Sequence, residues 1–161
     1  MQKFYPNLWF DTQAEEAANF YVSIFPGSKL LNTTHYPEVG QEVSGMAPGT
    51  VMTVEFELNG QKFTGLNGGP IFKFNEAVSF VVPCDSQEEI DEIWGKLSAV
   101  PESEQCGWLK DKYGVSWQIV PSNMDELLSG NDEAGNNRAM EAMLKMHKLD
   151  IAGLKAAASQ A

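Results

Sequence analysis

The sequence predicts an α+β protein made of two β-α-β-β-β modules in tandem, followed by a helical tail. Three observations carry this reading. Asp11-Thr12-Gln13-x-Glu15 recurs as Asp85-Ser86-Gln87-x-Glu89, 74 positions later and again between a strand-like run and a helix-like run. Between the two copies, Asn67-Gly68-Gly69-Pro70 breaks every periodicity. After Ser122 the alternating pattern gives way to Ala-, Met-, Leu- and Lys-rich segments with helical spacing. The chain is read as one domain, residues 1–161, with module one at about 1–67, module two at about 71–121 and the tail at about 122–161.

In module one, Phe4 to Phe10 is aromatic-rich and reads as a strand that Pro6 marks as irregular or at an edge. Thr12 and Glu15 form a T-x-x-E capping box. The helix that follows places Ala14, Ala17, Ala18, Tyr21, Ile24 and Phe25 on one face, and Pro26-Gly27 stops it. Leu30 to Tyr36 is a second strand. Pro37 to Gly49, rich in glycine and proline, is a loop of a length usually tied to function or mobility. Thr50 to Leu58 alternates cleanly, with Glu55 and Glu57 on its solvated face. Asn59-Gly60 is a strong hairpin turn, and Gln61 to Leu66 is the returning strand.

Module two repeats the order. Ala77 to Pro83 is a strand, Ser86 and Glu89 are the second capping box, and Ile90, Ile93, Trp94 and Leu97 are the buried face of its helix. A hairpin closes the module, with Trp108 to Lys110 and Val115 to Val120 flanking the turn Asp111-Lys112-Tyr113-Gly114. On its second strand Val115, Trp117 and Ile119 point one way, Ser116, Gln118 and Val120 the other. A buried amide needs hydrogen-bond partners, so Gln118 is either structurally paired or facing a ligand. In the tail, Met124 to Leu128 is a short helix, Ser129 to Asn137 a linker, and Arg138 to Leu149 and Ile151 to Ser159 are helices. Their apolar faces (Met143, Met146, Leu149; Ile151, Leu154) are expected to cover the sheet or a partner subunit.

Composition bounds the function. Hydrophobic content of 43% and a chain of 161 residues support a packed core without staples. A net charge of −11 disfavours nucleic acid and anionic membrane surfaces. No apolar run approaches the roughly 20 residues that span a bilayer. Met1-Gln2-Lys3 leads straight into a strand with no signal peptide, so Cys84 and Cys106 are expected to be reduced thiols in a cytoplasmic protein.

The runs LWFDTQAEEAANFY, SFVVPCDSQEEIDEIWGKL, CGWLKDKYGVSWQIVP and RAMEAMLKMHKLDI together resemble the PhnB-like family, also labelled 3-demethylubiquinone-9 3-methyltransferase domain proteins. That family lies in the glyoxalase/bleomycin resistance/dioxygenase (vicinal oxygen chelate) superfamily. The resemblance implies paired βαβββ modules forming a curved, cup-like mixed sheet, and a homodimer. Metal-dependent members hold a divalent ion in the cup. Matched onto this chain, the resemblance puts the ligand positions at Pro6, Ser79 and Gln118, with a fourth in the neighbourhood of Phe63 to Leu66.

Those residues are poor transition-metal ligands, and His35 and His147 match none of the positions. Metal is therefore not expected. A methyltransferase of the Rossmann type needs a glycine-rich strand-to-helix turn, and the turns at Asp11-Thr12 and Asp85-Ser86 contain no glycine. No cofactor is expected. Cys106 would need a neighbouring positive group to become a thiolate nucleophile, and buried inert cysteine is the commoner state. What remains is a cavity, and the cup that the resemblance implies would be lined by Leu8, Phe10, Ser79, Val81, Trp108, Ser116 and Gln118. The first reading is metal-free binding of a small molecule. An enzyme on a small substrate and a structural dimer with a vestigial cavity are the alternatives.

Overall fold

The computed structural model describes residues 3–160. The chain divides into two compact units, the first ending at Phe74 and the second beginning at Asn75, a few residues beyond the break expected at Asn67–Pro70.

Unit 1 has the element order β1 (Asn7–Phe10), α1 (Ala14–Ile24), β2 (Lys29–His35), α2 (Gln41–Ser44), β3 (Val51–Leu58) and β4 (Gln61–Asn67). Its sheet runs β1-β4-β3-β2, with β1 parallel to β4 and the other pairs antiparallel. Register places Leu8 beside Gly65, Gly65 beside Val54, and Phe63 beside Phe56, so these side chains share one face. α1 covers that face. The Tyr21 and Phe56 ring centroids are 6.2 Å apart, and a Cβ on Gly65 would lie 3.2 Å from that of Ala14. Tyr21, Phe56, Ala14, Ala17 and Ala18 are fully buried, each large ring contributing about 1.5–3 kcal/mol of burial.

Three local expectations are corrected here. β1 starts at Asn7 rather than Phe4, because Pro6 has no N–H for the ladder, although its carbonyl accepts from Thr64 at 3.0 Å. The Thr12–Glu15 capping box does not cap α1. Gln13 is the N-cap and makes no side-chain cap bond, and the Oδ1 of Asn67, 53 residues away, accepts from Ala14 N–H at 2.8 Å. Pro37 to Gly49 is not structureless. It holds the single turn α2 between Gly40 and Gly45, both left-handed (φ 88 and 69°).

Unit 2 comprises β5 (Ser79–Cys84), α3 (Gln87–Leu97), a 3-10 turn at Pro101–Ser103, β6 (Trp108–Lys110), β7 (Ser116–Pro121) and the tail helices α4 (Met124–Ser129), α5 (Glu133–Leu144) and α6 (Ile151–Ser159). Its sheet runs β5-β7-β6, parallel then antiparallel. This is the module-one order without the outer strand that β2 supplies there, so the chain forms two open mixed sheets of four and three strands. The missing strand's place is taken by residues 98–105. Glu104 accepts from Trp94 Nε1 at 3.2 Å and Ser98 Oγ at 2.6 Å, and Pro101 opens the 3-10 turn. That segment satisfies the edge of β6 through Ala99 N–H to Lys110 O (3.0 Å) and the reciprocal Gln105–Trp108 pair.

In α3 the second capping box forms. Ser86 Oγ accepts from Glu89 N–H at 3.2 Å, and Glu89 Oε2 accepts from Asp85 N–H at 2.8 Å. Ile90, Ile93, Trp94 and Leu97 are buried, as are Leu109, Trp117 and Ile119 of the sheet face that α3 covers.

The tail differs from expectation at its boundaries. α5 begins at Glu133 inside the expected linker, because Asp132 caps it, accepting from Gly135 N–H at 2.7 Å. It ends at Leu144, and residues 145–150 form an irregular strap. The strap is bonded to unit 2 itself: Cys106 N–H to Met146 O (2.9 Å), Gly107 N–H to His147 O (2.8 Å) and Gln87 Nε2 to Leu149 O (3.0 Å). Leu149 and Leu154 are fully buried by their own chain, so the tail needs no partner subunit to cover them.

Candidate functional site

The parallel pair β5–β7 and the antiparallel pair β6–β7 fix which side chains share the sheet face turned away from α3. Ser79 lies opposite Ser116, Val81 opposite Gln118, Trp108 opposite Gln118, and Lys110 opposite Ser116. Ser79, Val81, Trp108, Ser116 and Gln118, all anticipated, therefore stand together on one face, and Lys110 joins them. Gln118 Nε2 donates to Ser79 Oγ at 2.9 Å, so the amide has a side-chain partner. Lys110 Nζ donates to Glu76 Oε1. The lysine side chain is 23% exposed and its carboxylate partner 60%, so the cation is largely covered while the anion stands in solvent. The Lys110 hydrogen bond, helped by the backbone at Glu76, holds the Glu76 carboxyl below the usual carboxylate range.

Ser116 is different. The residue is 1% exposed, and its Oγ is buried without a hydrogen-bond partner among the described residues. A buried hydroxyl left unmade costs about 1–3 kcal/mol.

Leu8 and Phe10 are corrected as lining residues. They sit on the helix-covered face of unit 1, 6% and 3% exposed, with the Phe10 ring 5.3 Å from Phe74. The error was one of parity, since neighbouring strand residues face opposite ways. The same parity corrects Pro6. The 74-residue offset of the repeat carries Val81 onto Asn7, so Asn7–Thr64 and Val81–Gln118 are corresponding parallel pairs. That offset carries Ser79 onto Tyr5 and Phe80 onto Pro6. By register Gln118 corresponds to Thr64, within the Phe63–Leu66 stretch. Trp108 corresponds to Glu55, Ser116 to Lys62 and Lys110 to Glu57.

Alternation alone places Glu55 and Glu57 on the solvated face of β3. They are instead half-covered and salt-bridged, Glu55 to Lys62 at 2.9 Å and Glu57 to Lys29 at 3.4 Å. Lys62 Nζ also stands 4.5 Å from the Tyr5 ring centroid. The signal that could have found these residues is alternation on β3 combined with the hairpin register at Asn59-Gly60.

Among the described residues, no group of three or more His, Cys, Asp or Glu converges. His35 is exposed on β2, and His147 Nδ1 pairs with Glu104 O at 2.6 Å. Cys84 is buried, and desolvation, then the charges of Glu89 and Asp85, push its thiol up to about 12, which makes it no nucleophile at neutral pH. Cys106 is half-buried at a left-handed backbone position (φ 51°), and Gln105 Nε2 donates to its sulfur at 3.3 Å.

The sequence model of the 3-demethylubiquinone-9 3-methyltransferase family matches residues 2–120. The PhnB protein from Bacillus cereus is 39% identical, and the alignment covers 74% of this chain and 99% of that one, with a TM-score of 0.61. Protein PA1353 from Pseudomonas aeruginosa has the same fold at 15% identity, covering 75% and 98%, with a TM-score of 0.57. A lactoylglutathione lyase from Agrobacterium tumefaciens is 18% identical over 74% and 92%, with a TM-score of 0.40. No curated protein matches the chain.

Proposed function

The chain belongs to the 3-demethylubiquinone-9 3-methyltransferase family of PhnB-like proteins, and within it we propose a small-molecule-binding protein that works without a metal. The ligand site is the unit 2 sheet face of Ser79, Val81, Trp108, Ser116 and Gln118. The observation that carries this reading is the buried Ser116 hydroxyl, without a hydrogen-bond partner among the described residues and flanked across the strands by Ser79 and Lys110, on the face that also carries Val81 and Trp108. Apolar walls with a few placed polar groups are the composition of small-molecule sites.

A divalent metal does not fit the donors present. At the matched positions unit 2 offers a hydroxyl and an amide already bonded to each other, and unit 1 offers a phenol and a threonine. Borderline and hard divalent ions are held by imidazole, thiolate or carboxylate. The carboxylates nearest these positions, Glu55 and Glu57, are engaged by lysines. The family name is not carried over as an activity. The turns before α1 and α3 contain no glycine and give no close backbone approach for a Rossmann-bound methyl donor.

A ligand-observed fragment screen by NMR, run on wild type and Gln118→Leu, tests the proposal. Bound fragments should lose about tenfold in affinity in the variant. Its fold should lose no more than one half-buried hydrogen bond supplies, about 0.5–1.5 kcal/mol. Fragments that bind both forms equally would remove this face from consideration. An empty screen would favour a vestigial cavity. The homodimer implied by the family resemblance stays part of the proposal, although the self-covered tail no longer motivates it. Sedimentation at micromolar concentration tests it, and a clean monomer would remove it.

A further inference from the structure

The two units treat one structural position in opposite ways. In unit 1 the position of Ser116 is held by Lys62, a cation bound to Glu55 at 2.9 Å. In unit 2 it is held by a buried hydroxyl with no hydrogen-bond partner among the described residues, and the neighbouring cross-strand residue is the cation. Directly opposed residues on antiparallel strands have Cβ atoms about 4.5–5.5 Å apart, which brings Lys110 and Ser116 within reach of one small group.

The polar groups of this face are rich in hydrogen-bond donors. Lys110 has three N–H donors and no acceptor. Ser116 has an uncommitted O–H. Ser79 Oγ accepts from Gln118 Nε2, which leaves its own hydrogen to donate, and Gln118 keeps a second amide hydrogen. Against them stand the amide oxygen of Gln118 and the exposed carboxylate of Glu76.

We propose that this face takes ligands bearing an anionic oxygen, of which a carboxylate on an aromatic or apolar body is the simplest. One carboxylate oxygen accepts the Ser116 O–H and the other accepts from Lys110, which turns from Glu76 to the ligand. Glu76 thus acts as a solvent-exposed placeholder that holds the cation until an acid displaces it. Val81 and Trp108 flank the polar set and meet the apolar body. This rests on the binding site proposed above and names the chemical class that the site selects.

Calorimetric titration with a matched pair, sodium 2-naphthoate and 2-naphthamide, separates the two ideas. Wild type should bind the carboxylate about tenfold more tightly than the amide, as a charge-assisted bond predicts. Lys110→Met should abolish that preference, weakening the carboxylate about tenfold more than the amide. Glu76→Gln, a change at an exposed residue that leaves the fold in place, should tighten the carboxylate and leave the amide unchanged. If wild type binds the amide as well as the carboxylate, or better, the anion inference is overturned and the binding site survives. If neither probe binds, both readings fall.

Discussion

Asp111 and Trp117 are joined across the β6–β7 hairpin, the indole Nε1 donating to Oδ2 at 2.9 Å. The same carboxylate takes Tyr113 N–H at 2.8 Å and Val115 N–H at 3.0 Å on Oδ1, and the residue is 1% exposed. One buried carboxyl group therefore sets the turn and locks the tryptophan on the α3 side of β7. That parity puts Ser116 and Gln118 on the other side. Asp111→Asn presents an N–H₂ or a lost charge to three donors. It should destabilise unit 2 by about 1–3 kcal/mol in urea denaturation followed by Trp117 fluorescence. A change under about 0.5 kcal/mol would show that the hairpin is set by its strands instead.

Asn67 closes α1 from a distance. Its Oδ1 accepts from Ala14 N–H at 2.8 Å, its Nδ2 donates to Val51 O at 3.1 Å, and its carbonyl accepts from Tyr36 Oη at 2.5 Å. Asn67→Ala should cost about 0.5–2 kcal/mol, the range for a lost N-cap. Thr12→Ala, at the residue whose sequence context promised the cap, should change stability by no more than about 0.5 kcal/mol, as a surface substitution does. The reverse order of the two effects in chemical denaturation would mean that the Thr12–Glu15 box forms in solution.

The contrast between these two caps explains what was legible. Ser86 and Glu89 lie within one turn of each other and form the box that their spacing promises. Thr12 and Glu15 have the same spacing, but β4 ends beside α1 and supplies a better-placed acceptor, which no local pattern reveals. The paired modules followed from the repeated strand-to-helix turn, and the hairpin and the segregation of Ser116 from Trp117 from its turn residues and period-two alternation. The side of β1 that faces the helix did not. A strand with Leu8, Trp9 and Phe10 in a row has no polar residue to mark its solvent face. The place of Lys110 opposite Ser116 was not legible because it is set by cross-strand register, not by its neighbours along the chain. The missing strand of module two was hidden for a similar reason, since Glu104 ties residues 98–105 into a turn through side-chain bonds.

The two thiols should differ in reactivity. Burial raises Cys84 to about 12, so its proton stays on across the neutral and mildly alkaline range. A thiol-disulfide probe at pH 8 should modify Cys106 in the folded protein and reach Cys84 only after denaturation. The sign of the linkage follows. An unfolded thiol ionises near 8.5, so between that pH and about 12 the unfolded state holds fewer protons than the folded one, and Cys84 makes stability fall as pH rises. Cys84→Ala should flatten the decline of stability measured from pH 8.5 to 10.5. A slope identical to wild type would place the folded Cys84 pKa near its ordinary value.

The most direct measurement of the central claim is Ser116→Ala, read by urea denaturation and by titration with whichever fragment binds unit 2 most tightly. The Ser116 hydroxyl is buried and unpartnered, so its removal should leave the fold as stable as wild type or up to about 1–3 kcal/mol more stable. Fragment affinity should fall, because the ligand loses a hydroxyl donor. A destabilised protein with unchanged fragment affinity would contradict the account, showing that Ser116 has an internal partner and that this face is part of the scaffold.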